Sequence, residues 1–127
     1  VVIVGRRLTI GRPLANMLSL KRTKANATVT VAHTGTEDIS IHTKQADILI
    51  AAAGSPHMIK ADMVKPGSAV VAAGVSFEGI RLLSDVSEVV DQVARCLSPR
   101  IGGVGPMTRA FLMANTVQAA EKTVDIF

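Results

Sequence analysis

The run Val1-Val2-Ile3-Val4-Gly5-Arg6-Arg7-Leu8-Thr9-Ile10-Gly11-Arg12-Pro13 decides the fold. It opens on four apolar, β-branched residues, breaks at a glycine and ends on a proline that leads into Leu14-Ala15-Asn16-Met17-Leu18-Ser19-Leu20. A strand buried on both faces is apolar without alternation. Proline suits the first turn of a helix, where its missing N–H would have no partner. A strand, a glycine loop and a helix start, in that order, are what a parallel sheet offers to a dinucleotide pyrophosphate. Glycine lets the backbone approach closely, and the helix start turns unpaired N–H groups toward the anion. The spacing fits neither G-x-G-x-x-G nor G-x-x-x-x-G-K-[ST], so the loop taken alone is also compatible with a plain turn.

Working outward, three more apolar runs follow: Ala27 to Ala32, Asp47 to Ala53 and Ser68 to Gly74. Between the second and third strands, Asp38 to Gln45 predicts a short helix. Strands alternating with helices predict right-handed βαβ units. The expected fold is therefore α/β, a Rossmann-type doubly wound, mainly parallel sheet with helices on both faces. Beyond Gly74, the stretch Val75 to Ser84 reads as a loop or irregular ribbon. Val86, Val89, Val90, Val93, Ala94 and Leu97 recur at helical spacing and predict an amphipathic helix over 86–97. A last helix is expected from about Pro106 to Val124, with Met107, Ala110, Phe111, Ala114 and Val117 on one face.

The charge pattern at the second strand bears on the ligand. An NAD-binding sheet usually ends this strand on a carboxylate that holds the ribose 2′-hydroxyl. Here the strand ends Val31-Ala32-His33-Thr34, with no acid. Thr34 offers a hydroxyl, and Arg6 and Arg7 leave the neighbouring loop. Two guanidinium groups and a hydroxyl suit a 2′-phosphate, which a carboxylate would repel, and so favour NADP over NAD. The competing reading of the arginines is a solvated loop.

Composition bounds the rest. With 127 residues, 48% of them hydrophobic and 19% charged, the chain is the size and balance of one globular domain. It starts at Val1, inside a strand and without methionine, so a piece of a longer protein is expected. No membrane span or leader is legible, and Cys96 is the single cysteine, which suits a reducing cytoplasmic setting. His33, His42 and His57 lack metal-site spacing, and no metal is expected. The formal net charge of +4 comes from scattered basic residues, and with no Trp or Tyr and three Phe there is no stacking platform for nucleic acid.

Near the far end, Gly102-Gly103-Val104-Gly105-Pro106-Met107-Thr108 places three glycines in four positions. Such a run is entropically costly unless the backbone takes unusual angles or approaches something closely. The expectation is a side-chain-free wall of a cleft, ending at a helix start with Thr108 as a polar anchor. The competing reading is a tight loop packed against its own chain.

Together these motifs resemble the C-terminal cofactor domain of the methylenetetrahydrofolate dehydrogenase/methenyltetrahydrofolate cyclohydrolase family. The family's G-R-S-x-x-V-G-x-P loop is matched by Gly5 to Pro13, its A-T-V-T and C-H-S by Ala27-Thr28-Val29-Thr30 and Ala32-His33-Thr34. Its A-D-I…A-x-G-x-P run is matched by Ala46-Asp47-Ile48 and Ala53-Gly54-Ser55-Pro56, and Asp62 to Gly67 and the closing Gly102 to Thr108 also agree. The resemblance implies an NADP-dependent enzyme of one-carbon metabolism that oxidises 5,10-methylenetetrahydrofolate and hydrolyses the methenyl product to 10-formyltetrahydrofolate. It implies cofactor contacts at Gly5, Arg6, Arg7, His33, Thr34, Ala53, Gly54, Gly74, Val75 and Thr108, and a substrate-cleft wall at Gly102, Gly103 and Gly105. The family's catalytic lysine and tyrosine belong to a preceding domain, so no catalytic residue is expected in these 127 residues. A folate substrate, a homodimer, that preceding domain and a place in purine biosynthesis are the implied partners and context.

This chain departs from the family pattern at Arg7 (serine there), at Ala72-Ala73-Gly74-Val75 (D-V-G-I), at Ser84 (glycine) and at Arg100-Ile101 (V-P). Two rival readings follow: a non-catalytic relative kept as a ligand-binding or dimerisation module, and a shikimate-dehydrogenase-like NADP oxidoreductase. The second leaves the Gly102 to Thr108 run unexplained.

Overall fold

The structure, a computed structural model, describes residues 1–124. The first strand, β1 (Val2–Val4), leads through the glycine loop into α1 (Gly11–Ser19), then β2 (Thr30–Ala32), α2 (Ile39–Thr43) and β3 (Ile48–Ala51). A 3₁₀ turn at Ala61–Met63 precedes β4 (Ala69–Ala72). The strands β5 (Val75–Glu78) and β6 (Arg81–Ser84), a second 3₁₀ turn (Glu88–Gln92), β7 (Cys96–Leu97) and α3 (Val104–Val124) complete the chain.

The main sheet has five parallel strands in the order β2-β1-β3-β4-β7. Right-handed crossovers that first move from β1 to β2, and then back across to β3, put α1 and α2 on opposite faces. The doubly wound α/β fold expected from the sequence is what forms. Alternation of side chains divides the buried residues between the two faces. Val2, Val4, Leu49, Ala51, Val70 and Ala72 point into one cluster with Ile59, Val64, Val86 and Val90, while Ile3 and Ile50 lie outside that cluster.

Two sequence expectations change. Val75 to Ser84 is a regular antiparallel hairpin, β5–β6, with Glu78 paired to Arg81 across a turn in which Gly79 has φ +60°. Residues 86–97 are not an amphipathic α-helix: a 3₁₀ turn gives way to β7. The valines there are β-branched and hold a helix weakly. More decisively, β4 has a free edge, which Arg95 N–H and Ser98 N–H satisfy by donating to the Ser68 and Val70 carbonyls at 2.9 and 3.0 Å. Val86 and Val90 are nonetheless buried, and Val93, Ala94 and Leu97 pack against the core from a different backbone, while Val89 is exposed.

The last helix forms as expected, but nothing on it is buried. Met107, Phe111, Leu112, Met113 and Val117 are all exposed. No helix among the described residues is long and apolar enough to cross a membrane.

Candidate functional site

The cleft is built by three strand ends that stop in register. Val4 pairs with Ala32 on one side and Ala51 on the other. The chain leaves β1 toward β2 and returns on the far side as β3, so the crevice between β1 and β3 is the topological switch point, where open α/β sheets bind ligands. Gly5 begins the first loop with φ +126°, and a side chain there would strike the Ala52 carbonyl. A side chain on Gly11 would strike the Gly5 carbonyl, so glycine at both positions lets α1 start close against the strand ends. No acidic residue lies in the first turn of α1 and no side chain caps it, which leaves the positive end of the helix facing the loop.

Around this crevice is a cavity of about 320 Å³, lined by Gly5, Arg6 and Arg7 from the first loop, His33 and Thr34 beyond β2, and Ala53 beyond β3. Six expected cofactor residues are thus brought together. Val4, Ala52, Ser55 and Met58 also line it and were not among the expected cofactor residues, being apolar or small side chains without a charge to mark them. Among the described residues no carboxylate lines the cavity. His33 is committed locally: its Nδ1 accepts the Gly35 N–H at 3.0 Å, and its own backbone N–H donates to Thr36 Oγ1 at 2.9 Å. Thr34 stands at the exposed crown of that turn. The Arg7 guanidinium reaches Gly54, its Nη1 lying 3.8 Å from where a Cβ on Gly54 would stand, and Gly54 itself has φ +70°.

Asp85 is the residue that motif reading missed. Its carboxylate is fully buried, and Oδ2 accepts the backbone N–H groups of Ala53 and Gly54, both at 2.7 Å. A signal existed, because an acid in the middle of Leu82-Leu83-Ser84-Asp85-Val86 sits badly in apolar surroundings unless something pairs with it. Gly74 is buried against this carboxylate, and a side chain there would collide with Asp85. It does not line the arginine-bearing cavity, nor does Val75, which is exposed at the start of β5.

The glycine loop lies elsewhere. A second cavity, also about 320 Å³, opens beyond β4 and β7, where Ala72, Ser84, Pro99 and Arg100 line it together with His57 and Glu88. Gly102, Gly103 and Gly105 line neither cavity. Two of these glycines have reasons within the chain. Gly102 has φ +81° in open space, and a side chain on Gly103 would strike the Pro99 carbonyl; Gly105 has open space and no positive φ. Thr108 is exposed, and its hydroxyl donates to the Val104 carbonyl of its own helix at 3.0 Å. Among the described residues no group of His, Cys, Asp and Glu could hold a metal ion.

Comparison with known proteins agrees with this architecture. The model of the tetrahydrofolate dehydrogenase/cyclohydrolase NAD(P)-binding domain matches residues 1–124. The bifunctional protein FolD of Syntrophotalea carbinolica is 53% identical over 122 residues, covering 96% of this chain and 42% of its own length. The crystal structure of the bifunctional FolD methylenetetrahydrofolate dehydrogenase/cyclohydrolase from Campylobacter jejuni superposes with a TM-score of 0.87 at 43% identity, over 96% of this chain and 43% of that one. The Trypanosoma brucei methylenetetrahydrofolate dehydrogenase-cyclohydrolase, solved with NADP and an inhibitor, gives a TM-score of 0.85 at 34% identity, over 97% and 43%. The chain thus spans about two fifths of the length of these relatives. By sequence along nearly its whole length and by fold, the chain belongs to the tetrahydrofolate dehydrogenase/cyclohydrolase family, as its NAD(P)-binding domain.

Proposed function

We propose that this domain holds NADP in an enzyme that dehydrogenates 5,10-methylenetetrahydrofolate and hydrolyses the resulting methenyl compound to 10-formyltetrahydrofolate. The observation that carries the cofactor assignment is the lining of the switch-point cleft, with two arginines, a threonine hydroxyl and, among the described residues, no carboxylate. This donor set fits a phosphate-rich anion, and it lacks the acid that would repel a 2′-phosphate. Bound at this cleft, the cofactor supplies the hydride acceptor. The chain's own residues bind and orient: Gly5 and Gly11 admit close backbone approach, Arg6 and Arg7 meet anionic oxygens, and Thr34 donates from the β2 side. His33 and Ala53 line the same cavity and Gly54 adjoins it at Arg7; Gly74, Val75 and Thr108, outside that cavity, complete the proposed cofactor set, with Gly102, Gly103 and Gly105 toward folate.

The residues that act on folate are assigned to a further domain of the whole protein. The share of the relatives' length that this chain covers supports that division. The bare apolar surface of α3 supports it too, because such a helix is stabilised by packing rather than by propensity alone. We assign the whole protein to the cytoplasm and to one-carbon supply for purine biosynthesis, as a homodimer. Phe77 and Ile80, exposed on the β5–β6 hairpin, are a suitable apolar surface for a second copy.

The test is cofactor reduction by full-length protein given 5,10-methylenetetrahydrofolate with NADP or with NAD. Turnover that favours NADP is expected. Tight NADP binding without turnover would favour the non-catalytic relative instead.

A further inference from the structure

The β3 wall of the switch-point cleft is set by a residue that does not enter the cleft. Asp85 is fully buried and does not line the cavity, yet its Oδ2 accepts the N–H groups of Ala53 and Gly54, both at 2.7 Å. Successive backbone N–H groups that converge on one point make an anion site. Here the chain's own carboxylate fills it. A trans peptide is planar, with its N–H and C=O on opposite sides. Turning these two N–H groups toward Asp85 therefore turns the Ala52 and Ala53 carbonyls away from it. The Ala52 carbonyl lies against Gly5, where it would meet any side chain on that glycine. Gly5, Ala52 and Ala53 all line the cavity. Among the described residues neither carbonyl accepts a backbone hydrogen bond.

Asp85 is itself held from several sides. Its N–H donates to the Gly74 carbonyl at 3.1 Å, and its carbonyl accepts the Ile59 N–H at 2.9 Å. On either side, His57 N–H donates to the Ser84 carbonyl and Ser87 N–H to the Ile59 carbonyl, both at 2.9 Å. The carboxylate is thus a fixed point behind the loop. The chemistry of the wall follows from the orientation it imposes. Phosphate oxygens accept hydrogen bonds, whereas hydroxyl and amide groups also donate them. We infer that Asp85 is a positioning residue for the cofactor. By occupying the N–H groups of the β3 loop, it turns the Ala52 and Ala53 carbonyls to the cleft as acceptors for hydroxyl or amide groups of the bound dinucleotide. The inference rests on the assignment of this cleft to a nicotinamide dinucleotide.

The test combines steady-state kinetics and amide hydrogen exchange on the full-length protein. Asp85→Ala is expected to raise the KM for NADP roughly tenfold and to leave kcat within about twofold, as lost uniform binding does. Asp85→Asn keeps one oxygen for both donors and should restore the KM to within about twofold of the unmodified value. Val90→Ala truncates a buried side chain that lines neither the cleft nor its loop, and it controls for lost stability. Its KM for NADP should not change. An unchanged KM in Asp85→Ala, no recovery in Asp85→Asn, or an equal rise in Val90→Ala overturns the inference. Exchange needs no variant. The Ala53 and Gly54 amide hydrogens should be protected before NADP is added. Free exchange that ends only when NADP binds would show that they donate to the ligand, which also overturns the inference. An unmodified protein that binds neither NADP nor NAD overturns the cleft assignment, and this inference with it. One that binds NADP, with the Asp85→Ala variant binding it equally well, overturns the inference alone.

Discussion

The Asp85 carboxylate accepts the backbone N–H of Gly54 at 2.7 Å across 31 residues of sequence, and the same oxygen accepts the N–H of Ala53. The pair joins the end of the β5–β6 hairpin to the loop that forms one wall of the switch-point cleft. The second oxygen, Oδ1, is buried without a hydrogen-bond partner among the described residues. The carboxyl group thus accepts through Oδ2 alone.

Asp85→Ala leaves two buried N–H groups without an acceptor, and each such group costs about 1–3 kcal/mol. The whole protein should lose about 2–6 kcal/mol of stability. Asp85→Asn keeps one amide oxygen for both donors and should lose less than half as much. Chemical unfolding, with NADP affinity measured beside it, checks both. Equal losses in the two variants would mean that the carboxylate charge, not the acceptor geometry, matters.

Gly74→Ala forces a methyl group into the space of the Asp85 carboxylate. A cost of about 1–3 kcal/mol follows from overpacking. In a double-mutant cycle, Asp85→Ala should absorb part of that cost, because the methyl group then has room. Strict additivity would contradict the contact.

The glycine loop separates into two tests. Gly103→Ala meets the Pro99 carbonyl and should lower the thermal stability of the whole protein whatever its effect on kinetics. Gly105→Ala meets nothing within 4 Å. It should leave stability unchanged and raise the KM for folate if this loop borders the substrate. A Gly105→Ala enzyme with normal kinetics would remove the loop from the cleft.

Asp38 caps α2, accepting the Ser40 N–H at 2.8 Å. The donors of Ser40, hydroxyl first and backbone N–H second, hold its carboxyl below the ordinary aspartate value of 3.8, with smaller help from Lys44 and His42. A depressed folded-state pKa contributes stability that is present above the unfolded value and disappears as pH falls through the folded one. The stability difference between the unmodified protein and Asp38→Ala should therefore be constant near neutrality and shrink below about pH 4. Paired acid-unfolding curves would show it, and a gap that widened toward acid would reverse the sign.

The 127 residues alone should bind NADP and catalyse neither folate reaction. Among the described residues no lysine lines the cavity at the switch point. A purified domain that oxidised 5,10-methylenetetrahydrofolate at an enzymic rate would refute the assignment of catalysis to a further domain.

The sequence by itself determined the parallel sheet, because continuous apolar runs such as Val1-Val2-Ile3-Val4, punctuated by Gly5 and Pro13, carry their instruction locally. It also determined that a glycine loop joins β1 to α1 and that no acid ends β2. What it did not determine depends on partners distant in the chain. Residues 86–97 have helical spacing, yet Cys96 and Leu97 become a strand because the edge of β4, more than 20 residues earlier, needs donors and acceptors. Asp85 looks like an isolated acid until folding brings Ala53 and Gly54 to it. Gly103 looks free for a ligand until Pro99 fills the space. Arg6 and Arg7 look equivalent until the order β2-β1-β3 places Gly54 beside only one of them. Local pattern specifies elements, since propensity and burial act over a few residues. Only tertiary structure decides which hydrogen-bonding groups and which van der Waals spaces are already taken.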